Sequence, residues 1–204
     1  MLGLIAAKNM HQDFTALLET RVFSALGLRV TFIDVPQSEM PNYAHGYTET
    51  GMPIRMAPDL LWAEAYGVRT TATDMIRFIE ESMNVVAVNP ALSRAIAGTH
   101  VGYFNAGPIT QDLIWEQYRY PVGLDTLLAG NSYAMIFNAT PAKQLIPPED
   151  SPGDILLDKT GSTNGFGAYV AFVPARRIGV VILANKNYPI PDRVRLAYRI
   201  LTRL

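Results

Sequence analysis

The chain has 204 residues, 49% of them hydrophobic, with 17 Lys and Arg against 18 Asp and Glu and a net charge of −1. That length gives one substantial domain or two small ones on a shared core. The balanced charge, with no long basic run, argues against a nucleic-acid footprint and against a polybasic membrane anchor. Cysteine is absent, which excludes disulfides and thiolate metal sites, and no apolar stretch approaches the length of a membrane span.

The opening run Met1-Leu2-Gly3-Leu4-Ile5-Ala6-Ala7 ends in small residues. It is too short and lacks the basic region of a signal peptide. It reads as a helix continuing through Lys8, and a helix that opens at Met1 with no capping residue ahead of it predicts a chain cut inside an element. Phe14, Leu17, Leu18, Val22 and Leu26 recur at helical spacing and predict a helix over 13–27, stopped by Gly27. From Pro36 to Val68 a region rich in Pro, Gly and Tyr shows no sustained period, and its aromatics Tyr43, Tyr47, Trp62 and Tyr66 predict a packed functional loop. Thr71-Ala72-Thr73-Asp74 resembles a capping box, opening a helix with Ile76, Ile79 and Met83 on its buried face. A short helix is expected over 90–98, strands over 112–116 and 133–137, and a loop at Pro147-Pro148.

The last fifty residues are the most legible. Ile155-Leu156-Leu157 is a strand leading into Lys159-Thr160-Gly161. Two apolar strands, Ala168 to Val173 and Ile178 to Ala184, flank the four-residue loop Pro174-Ala175-Arg176-Arg177 as a hairpin. Pro191 suits the first turn of a closing helix whose stripe is Val194, Ala197, Ile200, Leu201 and Leu204. An antiparallel sheet under a terminal helix is an α/β (α+β) arrangement. The expected division is a helical region with the long pocket loop over 1–110 and sheet domain over 111–204.

The sharpest chemical signal is Lys159-Thr160-Gly161-Ser162-Thr163-Asn164-Gly165-Phe166-Gly167. A bare Lys-Thr-Gly recurs by chance, and its bland reading is an edge strand protected by lysine before a Gly-rich turn. At the end of an apolar strand it gains weight, because it is one signature of penicillin-recognising serine enzymes. An ammonium and a hydroxyl beside a cleft bind a carboxylate by charge-assisted hydrogen bonds. Gly161, without a Cβ, lets a ligand approach the strand closely. A strand-edge N–H can then face the oxygen that becomes negative during acyl transfer.

Asp158 to Phe172, with Gly179-Val180-Val181-Ile182-Leu183-Ala184-Asn185-Lys186-Asn187-Tyr188-Pro189, resembles the class C β-lactamases. So do Val35-Pro36-Gln37-Ser38-Glu39, Tyr43-Ala44-His45-Gly46-Tyr47 and Ala63-Glu64-Ala65-Tyr66-Gly67-Val68, in the same order. The resemblance implies that Lys159 supports the active-site electrostatics and that Thr160 bonds the substrate carboxylate. It places the Ser162 backbone at the oxyanion hole and Tyr66 on the side-chain pocket wall. Asn187 and Arg193 fall near the carboxylate end of the cleft. Tyr66 as a loop anchor, Asn187 as a turn former and Arg193 as a solvated first-turn residue stand as alternatives for those three.

Two departures matter. Ile190 replaces the usual Asn after Tyr188-Pro189, and Asp112-Leu113-Ile114 replaces a Gly-Leu-Gly stretch. Such enzymes also need a Ser-x-x-Lys nucleophile and a Tyr-x-Asn element. No Ser-x-x-Lys occurs in the sequence, and Tyr103-Phe104-Asn105 lies where the family aligns other residues. The resemblance thus implies the C-terminal portion of a periplasmic class C β-lactamase. A β-lactam would be its small-molecule partner and a complementary N-terminal segment its other, with no metal and no organic cofactor. His11, His45 and His100 lie too far apart for metal spacing. The rivals are a serine esterase or DD-peptidase fragment and a non-catalytic remnant.

Overall fold

The computed structural model describes residues 1–150 and 153–203. Helix α1 (Leu2–Met10) stops at His11, which takes the left-handed conformation with φ 50°. The helix expected next forms in two parts. In α2 (Phe14–Leu18) the Asp13 carboxylate caps the first turn by accepting the Ala16 amide at 3.1 Å. The chain then widens into a π-helical stretch, Glu19–Phe23, before Gly27 ends it at φ +66°. The wider turn rotates the apolar stripe, so Phe23 rather than Val22 is buried beside Leu17 and Leu26.

Between Pro36 and Val68 the regular elements are short. They are a 3₁₀ turn (Gln37–Asn42), the ribbon of β1 (Gly46–Tyr47) and β2 (Pro53–Ile54), and the one-turn helix α3 (Trp62–Tyr66). Cations stacked on aromatic rings hold this region: the Arg55 guanidinium lies 4.6 Å from the Tyr43 ring and that of Arg69 4.7 Å from Trp62. Arg69 also donates to Tyr43 Oη and to the carbonyls of Met56 and Gly67.

Helices α4 (Ala72–Ser82) and α5 (Pro90–Gly98) follow where expected. Thr71 Oγ1 caps α4 by accepting the Asp74 amide at 3.2 Å. The Asp74 carboxylate does not reach back to complete a capping box; it accepts from Val30 N and Thr31 Oγ1, both at 2.7 Å. Ile79 and Met83 are buried, but Ile76 is 46% exposed, and Met75 and Phe78 complete the packed stripe.

The rest of the chain builds a seven-stranded sheet in the order β6-β3-β4-β5-β7-β8-β9, antiparallel at each pairing. Its elements in chain order are β3 (Gly102–Ala106), β4 (Ile109–Gln111), β5 (Glu116–Arg119), α6 (Leu124–Gly130), α7 (Tyr133–Phe137), β6 (Ala142–Glu149), β7 (Ile155–Thr163), β8 (Phe166–Val173), β9 (Ile178–Ala184) and α8 (Ile190–Leu201). Strand β3 and the first two residues of β4 thus enter the sheet from before residue 111.

Three local expectations are corrected. Asp112 to Trp115 is the turn between β4 and β5, closed by Asp112 N donating to Trp115 O at 3.0 Å, and only Glu116 begins a strand. Tyr133–Phe137 is helical: Ser132 Oγ caps it, and Tyr133 stacks on Phe137 four residues on, 6.2 Å between ring centroids. A five-residue apolar run carries too little period to choose between helix and strand. Pro147 and Pro148 lie inside β6, an edge strand, where the pairing with β3 is interrupted between Gln144 opposite Phe104 and Glu149 opposite Gly102, so the ladder needs neither N–H.

Both sheet faces are covered. Leu156, Tyr169, Ala171 and Val173 pack against Leu127 of α6 and Val194, Ala197 and Leu201 of α8. Ile155, Leu157, Val170 and Phe172 pack against Ile79 and Met83 of α4. Ile200 is 38% exposed rather than core-facing, and Leu204 lies outside the described residues.

Candidate active site

The Lys-Thr-Gly segment is the last part of β7, and the β7–β8 hairpin turns at Gly165, whose φ of +119° a side chain would strain. The long loop is tied to this end of the sheet. Tyr47 N donates to Asn185 O at 2.9 Å, and Asn185 Nδ2 donates to His45 O at 3.2 Å. The result is an open cleft of about 790 Å³ between sheet and loop, with Gly161, Ser162, Thr163 and Asn185 on one side and Tyr66 on the other. A second hollow of about 580 Å³ lies against Lys159, Thr160, Glu116, Asn131 and Met135. Successive residues of the same strand thus line the two hollows.

Lys159 Nζ is 2.5 Å from Glu116 Oε1, and the lysine side chain is 39% exposed. It therefore faces solvent as part of an ion pair rather than as a bare cation. Gly161 is different from the turn glycine: a Cβ added there would meet only Ala168 Cβ, at 3.8 Å. The fold has room for a side chain at 161, so the glycine keeps open space over the strand.

Arg193, expected as a substrate contact or a solvated residue, has no exposed surface. It sits behind the strand, where Nη1 donates to Gly161 O at 2.7 Å and Ala168 O at 2.8 Å, and Nη2 to Ser162 Oγ at 2.8 Å. A side chain at Gly167 would come within 3.0 Å of that guanidinium. The Ser162 hydroxyl is thereby engaged as an acceptor for Arg193, on a residue that is exposed and lines the cleft. Asn187 is half-buried in the link between β9 and α8, and Asn185 rather than Asn187 lines the cleft. Ile190, at the position where the family usually has Asn, is buried in the core with Val194. Sequence reasoning missed Glu116, Asn131 and Asp158 around Lys159. They are scattered over 43 positions, and only the β5–β7 pairing brings Glu116 opposite Asp158. Among the described residues no cluster of three or more His, Cys, Asp or Glu is placed to hold a metal ion.

A Lys-Thr-Gly strand between two hollows, on an antiparallel sheet backed by a C-terminal helix, defines the β-lactamase/penicillin-binding-protein fold. The chain belongs to the β-lactamase family, whose sequence model, described as Beta-lactamase, matches residues 1–204. A β-lactamase of Lysobacter lactamgenus is 47% identical over 98% of this chain and 52% of its own length. That of Pseudomonas fluorescens is 46% identical over 100% of this chain and 57% of its own. The chain thus spans about half the length of these relatives. Among solved structures, D-alanine carboxypeptidase AmpC from Burkholderia cenocepacia superposes with a TM-score of 0.98 at 56% identity, covering 100% of this chain and 59% of that one. A class C β-lactamase in complex with cefoxitin gives a TM-score of 0.94 at 43% identity, covering 100% and 56%.

Proposed function

We propose that these residues form the substrate-binding side of a class C serine β-lactamase, which opens the β-lactam ring of penicillins and cephalosporins through an acyl-serine intermediate. The observation that carries this is the Lys159-Thr160-Gly161 strand, whose Gly161 lines the open cleft together with Tyr66 while Lys159 and Thr160 line the adjoining hollow. In this reading the Lys159 ammonium and the Thr160 hydroxyl take the substrate carboxylate. The Ser162 backbone N–H faces the carbonyl oxygen as it becomes negative. Arg193 binds no substrate directly but fixes the strand that does. Asn187 acts in shaping the β9–α8 link.

The nucleophile is proposed to come from a complementary segment carrying Ser-x-x-Lys and Tyr-x-Asn. Exposed Phe104, Ile136 and Phe137 beside the second hollow, 40%, 48% and 77% accessible, support its being covered by such a segment. The periplasm is the proposed location, and no helix of the described residues is long and apolar enough to cross a membrane. The 56% identity to a D-alanine carboxypeptidase favours a second reading, release of terminal D-alanine from a D-Ala-D-Ala peptide.

The test is hydrolysis of a chromogenic cephalosporin by this chain, alone and mixed with a family segment carrying both motifs. Turnover only in the mixture is expected, and Lys159→Gln lowers its kcat/KM by about 10²-fold. D-alanine release without cephalosporin turnover would establish the second reading. Turnover by the chain alone would overturn the proposed origin of the nucleophile.

A further inference from the structure

Beneath Lys159 lies a polar group that the reading above does not use. Asp158 has no exposed surface. Its Oδ2 accepts from Tyr169 Oη at 2.6 Å and from Asn131 Nδ2 at 2.8 Å. Its Oδ1 is equally buried and has no hydrogen-bond partner among the described residues. Asn131 Nδ2 also donates to Leu127 O at 3.1 Å and to Tyr118 Oη at 3.3 Å. The Asp158 carboxyl and the Asn131 amide together therefore join the end of α6 to β5, β7 and β8.

The residue directly opposite Asp158 in the β5–β7 ladder is Glu116. Like charges facing each other across an antiparallel pair repel, and more strongly where water is excluded. The cation that answers them is Lys159, bonded to Glu116. The other titratable groups around Asp158 are Tyr118 from β5 and Tyr169 from β8, while α6 contributes the neutral Asn131. With both acids ionised, two carboxylates face a single ammonium, and a carboxylate ligand on the same lysine adds a third negative charge. A proton on Asp158 removes the repulsion and makes its orphaned oxygen a hydroxyl. Burial, then the Glu116 charge, raise the Asp158 carboxyl to about 7, despite the opposing bonds from Tyr169 and Asn131 and the Lys159 charge.

We propose that an anion bound at Lys159 and Thr160 is taken up together with a proton held by the Asp158–Glu116 pair, making Asp158 a positioning residue that sets how much positive charge Lys159 presents to the cleft. The identity of the anion, a β-lactam carboxylate, rests on the proposed function; the coupling of the two acids does not.

The first readout is ¹³C-carboxyl NMR titration of the full chain. Asp158 titrates near neutrality, moves down in Glu116→Gln and moves up in Lys159→Gln. An Asp158 carboxyl ionised throughout, or unmoved by Glu116→Gln, overturns the proposal. The second is calorimetric binding of benzylpenicillin from pH 6 to 8.5, in buffers of different protonation enthalpy. Proton uptake is expected, with affinity falling above neutrality by up to about tenfold per pH unit, the limit for one linked proton. Asp158→Asn abolishes both effects, and Glu116→Gln serves the same purpose if that variant does not fold. Binding without proton uptake overturns the coupling alone. Acids that titrate as expected in a chain that binds no benzylpenicillin overturn the proposal through the functional reading, not through the acid pair.

Discussion

A buried guanidinium decides the shape of the Lys-Thr-Gly strand. Arg193 gives three hydrogen bonds to the β7–β8 hairpin, two of them to the carbonyls of Gly161 and Ala168, which face each other across the ladder, and one to Ser162 Oγ. Lysine keeps the charge but has no planar fork to span those acceptors. Arg193→Lys is therefore expected to lower stability by about 2 kcal/mol, the worth of one or two charge-assisted bonds, read as a reduced midpoint with unchanged slope in urea unfolding. The sequence placed Arg193 on the first turn of the closing helix but could not say which way it points. A solvated residue and a buried strut have the same letter, and the difference rests on where α8 lies over the sheet. Lys159, Thr160 and Gly161 were legible because their chemistry is carried by consecutive residues on one strand.

At the scale of the element, the β4–β5 turn carries strain. Ile114 has φ +81°, a left-handed conformation that a β-branched residue rarely adopts, and the residue is 67% exposed. It gains little from burial in return. Ile114→Gly is expected to raise stability by about 1 kcal/mol, measured as a higher urea midpoint. The residues Asp112-Leu113-Ile114 were read as a strand because alternation over so short a run cannot reveal a turn. The same weakness produced the strand assigned to α7. By contrast, α4, α8 and the β8–β9 hairpin are legible from a cap, a proline and long apolar periods, signals that act through the local backbone.

For the whole molecule, the half-buried His100 and the buried Asp112 and Asp158 shape the response to pH near neutrality. Burial holds His100 down to about 4. Burial and then the Glu149 charge raise Asp112 to about 8, and Asp158 is raised to about 7. Above pH 6.5 unfolded His100 is already neutral, so it adds no further dependence. The two acids bind protons in the folded chain that the unfolded chain has released, so stability is lost as pH rises through about 7 and then about 8. Below pH 6.5 His100 acts in the opposite sense, because only the unfolded chain takes up its proton. Thermal melts are expected to show a falling midpoint from pH 6.5 to 8. Asp112→Asn flattens the upper part of that fall.

The sequence by itself determined the family resemblance, the sheet-and-helix class and the residues of the Lys-Thr-Gly strand, because each is written in contiguous residues or local periods. Only the tertiary structure decided that Glu116 faces Asp158, that Asn185 rather than Asn187 lines the cleft, and that Arg193 braces the strand from behind. Those are relations between residues far apart in sequence, fixed by strand register and by how one helix seats on the sheet. Register is set by packing summed over whole faces, which no local stretch of sequence contains.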